Sequence, residues 1–295
     1  MSKATAYLVD SSIYVFRAWY SVPDEFSDLE GNPTNAVYGF VGFLCSLIEQ
    51  TQPELLGLAF DESLTTSFRT QIYPDYKANR EPAPLELKRQ FTWCREIAAA
   101  MGLSCFWDPE FEADDLIGTI AAKHRGYGHP VCIVSSDKDL AQIIHAGDHW
   151  WDFMRRQKLD WRGIEDKFGV TPAQIADYLA LAGDAVDNIP GVPGVGPKTA
   201  VALLSHFKTL EAIWDRIDEV PFLSIRGAKS LHQRLQNHQE DALLARKLTG
   251  IHFAVPSVVD SHDLSRGATD EQRLNELFDQ LNFGPMLRRR CINLR

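Results

Sequence analysis

The first half of the chain alternates short, continuously apolar runs with longer segments of helical periodicity. Three apolar runs, at residues 6–9, 55–60 and 130–134, are rich in Val, Ile and Leu, and an aspartate follows each within three residues. Runs without polar alternation indicate strands buried on both faces of a parallel sheet. The predicted helices between them are residues 35–50, 85–101 and 113–125. We therefore predict an α/β fold with a mostly parallel sheet flanked by helices over residues 1–165.

Beyond about residue 160 the pattern becomes helical. Thr171 and Pro172 have the residue types of a helix N-cap and first helical position, and Gly183 would end that helix. A glycine-rich hairpin follows at 190–198, and a second helix is predicted after it. Residues 221–230 and 256–270 are predicted to be loops. The pattern indicates a helical domain over residues 166–295.

Acidic residues recur where the predicted strands end. Because ligands bind at the carboxyl ends of parallel strands, we expect Asp10, Asp61 and Asp137 to lie along one edge of the sheet. Two carboxylates about 4 Å apart repel by about 4 kcal/mol at an effective dielectric near 20, so a group of them requires cations or protons. The alternative is that these aspartates only cap helices. The full acidic set is Asp10, Asp61, Glu112, Asp114, Asp115, Asp137, Asp139, Asp184 and Asp187.

Oxygen ligands without His or Cys favour Mg²⁺ or Mn²⁺ over zinc. Two such ions about 3.5–4 Å apart can activate a water and stabilise the leaving oxygen in phosphodiester hydrolysis. Asp184 and Asp187 have i, i+3 spacing, which on a helical turn would point both carboxylates the same way. The alternative there is a solvated helix C-terminus, where the helix dipole disfavours negative charge.

Two basic features have the properties of phosphate-binding sites. In the hairpin, Gly194 and Gly196 would let backbone N–H groups approach a phosphate, and Lys198 would add a charge beside a helix N-terminus. The alternative is a turn that merely separates two helices. The second feature is a run of basic residues after Asp61, which could equally form a solvated, mixed-charge helix. It comprises Arg69, Lys77, Arg80, Lys88, Arg89 and Arg95, with Arg17 close enough in sequence to Asp10 to join them.

Net charge and cysteine usage narrow the class of protein. The formal charge of −10 argues at first against nucleic acid, but the nine acids of the proposed site account for most of it. The five scattered cysteines indicate free thiols in a reducing compartment. Neither a secretory signal nor an apolar run long enough for a membrane helix is present. We expect a cytoplasmic monomer that does not bind membranes.

Taken together and in this order, these motifs resemble the 5′-nuclease family, which includes the 5′→3′ exonuclease domain of bacterial DNA polymerase I and the flap endonucleases. The matching segments are residues 8–10, 60–61, 76–80, 112–115, 136–139, 183–188 and 194–198. The resemblance implies a PIN-like nuclease domain followed by a helix–turn–helix DNA-binding region. It also implies cleavage of DNA at 5′ flaps, nicks or ends, with two Mg²⁺ or Mn²⁺ ions, during replication and repair. A protein with that role would be associated with the bacterial nucleoid.

The resemblance assigns roles to individual residues. Asp10, Asp61, Glu112, Asp114 and Asp115 would hold the first ion, and the other four acids the second. Lys77, Arg80 and Asp115 would serve catalysis, and residues 70–95 would form an arch over a 5′ single strand. A K⁺ ion near Val192 and Val195 would bridge the hairpin to DNA. The expected DNA contacts are Arg17, Arg69, Tyr76, Lys88, Arg89, Gly194, Gly196 and Lys198.

Two other functions remain open from the sequence. A non-catalytic module that recognises branched DNA would bind flaps without turnover, and it would be expected to lack some of the carboxylates. A single-strand ribonuclease of a related small α/β type would need fewer acids and no glycine hairpin. RNA–DNA primers are a further expected substrate. The sequence has no polymerase or proofreading domain, and its Met1 start and arginine-rich end favour a separate gene product over an excised domain.

Overall fold

A six-stranded sheet organises the first half of the chain in the computed structural model, which describes residues 3–23, 25–61, 67–259 and 263–294. The strand order is β3-β2-β1-β4-β5-β6; the first five strands are mutually parallel and β6 is antiparallel to β5. The strands are β1 Ala6–Asp10, β2 Leu55–Ala59, β3 Ser104–Phe106, β4 Val131–Val134, β5 His149–Asp152 and β6 Gln157–Leu159.

The register of the sheet brings the strand-terminal carboxylates to one edge. Asp10 of β1 lies opposite Ala59 of β2, and Val9 lies opposite Val134 of β4. Parallel neighbours end at the same side, so the chain leaves all three strands at a common edge. Every residue of β4 is buried, because helices cover both faces of the sheet.

Helices form the rest of the regular structure in the described part of the chain. They are α1 Ser11–Ser21, α2 Asn35–Thr51, α3 Phe68–Ile72, α4 Leu85–Ala100, α5 Ala113–Gly126, α6 Trp161–Phe168, α7 Ile175–Ala182, α8 Pro197–Phe207, α9 Leu210–Asp215, α10 Ala228–Asn237, α11 Gln239–Thr249, α12 Pro256–Val259, α13 Glu271–Gln280 and α14 Pro285–Ile292. Short 3₁₀ segments occur at Asp139–Ile143, Pro172–Gln174 and Ile217–Phe222.

Two hydrophobic cores lie on opposite faces of the sheet. One joins α5 to the helices that follow the sheet, and it contains Ile120 together with Leu179 and Leu204. The other joins α1, α2 and α4 to the last two helices, with Phe40 and Phe278 fully buried in it. The helices α13 and α14 therefore pack on the α/β side of the molecule, although they belong to the range 166–295.

The segment from α7 to α8 forms a tight helix–loop–helix. The α7 helix ends at Gly183, which has φ 78°, and the Thr171–Gln174 capping box precedes it. A Cβ atom on Gly191 would lie 2.3 Å from the backbone nitrogen of Gly183, so only glycine fits at this approach. The loop therefore folds back onto the end of α7 before α8 begins.

The predicted fold class is confirmed: a mostly parallel sheet flanked by helices, followed by a helical region. The prediction of loops at 221–230 and 256–270 was wrong in part, because α10 begins at Ala228 and α12 spans Pro256–Val259. Leu231 and Leu235 of α10 are buried against neighbouring helices, which stabilises that helix. Within the described residues, no helix combines the length and apolar character needed to cross a membrane.

Candidate functional site

The first carboxylate group forms around Asp10 at the end of β1. Asp10 is only 3% exposed, and its Oδ2 atom accepts a hydrogen bond of 2.8 Å from the Ser135 hydroxyl. Burial, followed by the negative charges of Asp61 and Asp137, raises the pKa of Asp10 to about 8. Without a cation, the folded protein therefore disfavours ionisation of this side chain.

The helix α5 adds Asp114 to this group and binds another member, Asp61, which follows β2. The Ala113 backbone N–H, in the first turn of the helix, donates to Asp61 Oδ1 over 2.9 Å. Burial, followed by the charges of Asp137, Asp10 and Asp61, raises the pKa of Asp114 well above its usual value. These four carboxylates, from four separate segments, thus share one strongly negative field.

A second carboxylate group comprises Asp139, Asp184 and Asp187. One carboxylate oxygen from each lies within 4.8 Å of the others. The buried Oδ1 atom of Asp139 accepts no hydrogen bond from any described residue. Burial, then Asp137 and, more weakly, Asp184 and Asp187, raises the pKa of Asp139 well above its usual value. Oxygen-only ligands, mutual repulsion and an unsatisfied oxygen together fit a hard divalent cation such as Mg²⁺ or Mn²⁺.

The turn that carries Asp184 and Asp187 differs from the predicted helical turn. Gly183 ends α7, and Asp184 and Ile189 then exchange two backbone hydrogen bonds of 2.9 and 2.8 Å. The prediction of i, i+3 positions on a helix was therefore wrong. The two carboxylates still converge, because the tight turn brings its ends together.

Basic and aromatic side chains from the predicted arch lie over both carboxylate groups. Lys77 Nζ is 3.0 Å from Glu112 Oε2 and 3.8 Å from Asp187 Oδ2, and Arg80 pairs with Asp187. The Tyr76 hydroxyl donates to Glu112 Oε2 at 3.0 Å. Burial would raise the pKa of Glu112, but Lys77 and Arg69 outweigh it and lower the pKa to about 2. Glu112 is therefore ionised where its neighbours resist ionisation.

The turn at 75–80 is tied directly to the loop of the second group. Asn79 Nδ2 donates to the Ala185 carbonyl over 2.9 Å, and Asn188 Nδ2 donates to the Asp75 carbonyl over 2.7 Å. Reciprocal amide contacts of this kind fix two irregular segments against each other. The basic side chains are consequently held in place by the same loop that carries the second carboxylate group.

Arg69 and Asp115 are placed differently from the predicted roles. Arg69 is 2% exposed and makes two parallel bonds of 2.7 and 2.8 Å to the fully buried Asp115. Its remaining donors bond the carbonyls of Leu248 and Gly250. The predicted DNA contact of Arg69 is therefore corrected, because the guanidinium is fully used in the interior. The predicted metal ligation and catalysis by Asp115 are corrected for the same reason, since Arg69 binds both of its oxygens.

The other predicted DNA contacts lie in varied environments. Tyr76 is buried, and its hydroxyl points into the carboxylates. Val192 and Val195 have buried side chains, so only their backbone atoms are available to an ion. Gly196 is half-buried. The exposed members are Arg17, Lys88, Arg89, Gly194 and Lys198.

Two residues of the site were absent from the predicted set. Ser135 joins the groups, since its hydroxyl bonds Asp10 and accepts the Asp137 backbone N–H at 2.9 Å. Lys138 Nζ lies 2.7 Å from Asp184 Oδ2 and so neutralises part of the second group. Both lie in the run that supplied Asp137 and Asp139, so their position in that motif was an available signal.

The family profile described as "5′-3′ exonuclease, N-terminal resolvase-like domain" matches residues 5–169. The profile described as "5′-3′ exonuclease, C-terminal SAM fold" matches residues 170–272. Matches of this extent show that the chain belongs to the 5′-3′ exonuclease family, and it is therefore a nuclease of the hydrolase class. The resemblance predicted from the sequence motifs is confirmed.

The relatives that match this chain are longer proteins. DNA polymerase I of Pseudomonas aeruginosa is 39% identical over 96% of the chain, which spans 31% of that protein. DNA polymerase I of Bacillus caldotenax is 37% identical over 95% of the chain, which spans 32% of that protein. The chain thus corresponds to about a third of the length of these relatives.

Solved structures support the fold at low sequence identity. T5 5′-exonuclease with bound zinc ions gives a TM-score of 0.66 at 21% identity, covering 94% of this chain and 99% of that chain. The catalytic core of Rad2 in complex with DNA substrate gives 0.67 at 15% identity, covering 99% and 93%. These similarities establish the shared architecture.

Proposed function

We propose that the chain is a structure-selective 5′ nuclease, with 5′→3′ exonuclease and flap endonuclease activity, that uses two divalent ions, Mg²⁺ or Mn²⁺. The observation that carries the proposal is the convergence of two carboxylate groups, several with raised pKa values, beneath Lys77 and Arg80. Carboxylates that resist ionisation need cations, and basic groups beside them suit a phosphodiester.

The residues that would hold the ions come from the two groups. Asp137 lies between them, since its charge acts on Asp10 and Asp114 of the first group and on Asp139 of the second. Asp10, Asp61, Glu112 and Asp114 would hold one ion, and Asp137, Asp139, Asp184 and Asp187 the other. When bound, such ions lower the pKa of water and stabilise charge on the leaving oxygen. Asp115 is left out, because Arg69 already neutralises it in the interior.

Basic side chains of the protein would position the DNA. Lys77 and Arg80 are fixed over the carboxylates by contacts to Glu112 and Asp187, so a phosphate entering there would exchange one anionic partner for another. The exposed Arg17, Lys88 and Arg89 would contact the DNA backbone near the arch. Gly194, Gly196 and Lys198 would hold one strand of the duplex at the hairpin, independently of base sequence.

We propose 5′ flaps, nicks and 5′ ends in DNA, and RNA–DNA junctions, as substrates in replication and repair. This resemblance-based proposal is supported by the DNA substrate bound in the Rad2 complex of the same fold. All the carboxylates of the site come from one chain, so a monomer is sufficient. A K⁺ ion held by backbone carbonyls near Val192 and Val195 would strengthen flap binding in KCl relative to NaCl.

The decisive experiment is cleavage of a 5′-labelled flap, with Mg²⁺ or a chelator, by the wild type and by Asp137→Asn. We expect cleavage only with the metal, loss of at least a hundredfold in kcat for the variant, and unchanged flap binding. A flap with a blocked 5′ end tests whether a free end is required. Absence of cleavage at any Mg²⁺ or Mn²⁺ concentration would refute the proposal, and tight flap binding without turnover would indicate the non-catalytic module.

A further inference from the structure

Arg234 of α10 lies directly against the glycine hairpin. A Cβ atom placed on Gly194 would be 3.2 Å from Cζ, 3.3 Å from Nη1 and 3.4 Å from Nε of Arg234. The guanidinium therefore covers the backbone of the hairpin at its exposed turn, where Gly194 has φ 75°. A side chain at that position would push the guanidinium away, so glycine there serves this approach as well as the turn.

The charge of Arg234 is not neutralised within the part of the chain that the structure describes. No ion pair or side-chain hydrogen bond joins its guanidinium to any residue of that part, and its Nε atom is buried without an acceptor. A buried charged donor that lacks an acceptor destabilises the folded protein. By contrast, the guanidinium groups of Arg69, Arg125 and Arg246 all have carboxylate partners.

The surroundings of Arg234 offer backbone donors, and the acids of the 3₁₀ segment that packs on α10 pair elsewhere. Asp218 lies against His232, and Glu219 lies against His206. Neither the hairpin at 190–198 nor the helix α10 contains an aspartate or a glutamate. The α8 helix begins at Pro197, at the end of the hairpin, so its first N–H groups and the exposed Lys198 add positive potential to the hairpin. The guanidinium of Arg234 therefore lies in a region of positive potential without an anionic partner among the described residues, and an anionic ligand would suit this position.

We propose that Arg234 is a DNA-binding residue that takes a backbone phosphate of the duplex next to the hairpin. The inference rests on the proposed function and extends it to a helix about forty residues beyond the motif. The planar guanidinium can donate two parallel hydrogen bonds to a phosphate, and its contact with Gly194 fixes its direction before DNA arrives. Each phosphate contact releases condensed counterions, so it contributes to the salt dependence of binding.

The test measures dissociation constants of a 5′ flap in chelator at several salt concentrations. The proteins are the wild type, Arg234→Gln, Arg234→Lys and Lys229→Gln. Lys229 is an exposed cation on the same helix, so its variant matches the loss of charge without touching the hairpin. Thermal unfolding of each protein separates a loss of binding from a loss of folding.

We expect Arg234→Gln to weaken flap binding about tenfold at low salt and to reduce the slope of log K against log salt by about 0.9. Arg234→Lys should retain the slope and only part of the affinity, and Lys229→Gln should match the wild type. An unchanged slope in Arg234→Gln, or a lower melting temperature as its only effect, would overturn the inference. If the wild type itself neither binds nor cuts flaps, the proposed function fails instead.

Discussion

At the scale of single residues, neighbouring carboxylates of the site have opposite electrostatic environments. Burial, Asp61 and Asp137 raise the pKa of Asp10 to about 8, whereas Lys77 and Arg69 outweigh burial and lower that of Glu112 to about 2. Side chains that belong to one proposed metal centre thus differ widely in their tendency to ionise. The cause is the position of each relative to the basic side chains, since all of them are largely removed from solvent.

Asp114 and Asp115 are adjacent in sequence but are expected to respond differently to substitution. Asp115→Asn removes the charge that compensates the buried Arg69, and we expect it to lower the free energy of unfolding by about 3–5 kcal/mol. Asp114→Asn relieves repulsion among acids, so the metal-free protein should be no less stable than the wild type. Denaturant unfolding in chelator measures both. Wild-type stability of Asp115→Asn would contradict the structural role.

The raised pKa values also predict how stability depends on pH. The folded pKa of Asp10 is about 8, above the ordinary 3.8, so its ionisation costs the folded state free energy as the pH rises through that window. Asp114 and Asp139 act in the same direction. Divalent ions favour the ionised form, so Mg²⁺ should raise the melting temperature more at pH 8 than at pH 5.5.

The control for this prediction is the double variant Asp114→Asn/Asp137→Asn, measured by the same thermal unfolding. The variant has two fewer carboxylates that repel one another and that would bind the ion. The increase in melting temperature on adding Mg²⁺ at pH 8 should therefore be smaller than in the wild type. An equal Mg²⁺ effect at the two pH values in the wild type would show that these carboxylates do not control ion binding.

At the scale of elements, the site depends on irregular segments that two close contacts hold in place. The turn at 75–80 is bonded to the loop around Ala185 and Asn188, and the hairpin is pressed against the end of α7. Helices and strands supply fixed ends, while these loops carry Lys77 and Arg80 together with Asp184 and Asp187 of the second carboxylate group. Their geometry is therefore sensitive to small changes in the backbone.

Replacing each of two hairpin glycines by alanine is expected to have very different effects on the stability of the protein. Gly191→Ala would place its Cβ atom 2.3 Å from the Gly183 nitrogen, and we expect it to lower the free energy of unfolding by about 1–3 kcal/mol. Gly196→Ala is the matched control, because no atom lies within 4 Å of a Cβ there and its φ is −95°. Equal melting temperatures of the two variants would contradict this packing.

At the scale of the whole molecule, the last two helices stabilise the α/β layer rather than the helical region next to them in sequence. Phe278 of α13 is fully buried in the core that also contains Phe40 of α2, and its ring packs edge-on to Phe283 at 5.5 Å. The C-terminal segment therefore crosses to the other face of the sheet from α7 and α8. Folding of the α/β layer therefore depends on the helices α13 and α14 as well as on α1, α2 and α4.

Phe278→Ala should accordingly destabilise the protein by about 3–5 kcal/mol through loss of burial and a cavity. Phe278 is buried in the core and is not among the proposed DNA contacts, so flap affinity below the melting temperature should be unchanged. Met286→Ala, at a side chain 86% exposed in α14, should change stability by no more than about 0.5 kcal/mol. Denaturant unfolding of both variants checks the prediction, and equal effects would argue against this packing of the C-terminal helices.

The sequence by itself determined the parallel strands with terminal aspartates, the positions at which the helices α2, α4 and α5 begin, and the acidic composition of the site. These features are local, because an apolar run, a helix cap or a glycine indicates the backbone conformation within a few residues of itself. The short strands β5 and β6 and the helices α13 and α14 gave no comparable signal, since their stability comes from distant partners.

Only the tertiary structure decided which charged groups meet. Asp115 directly follows the predicted ligand Asp114 in the motif, yet it pairs with Arg69 in the interior, while Lys138 lies among the carboxylates. Arg234 approaches the hairpin from a helix without any motif. A motif specifies residue types and spacing, but the partner of a charge depends on which segments the fold brings within a few ångströms, because electrostatic interactions in a protein weaken steeply with distance and exposure.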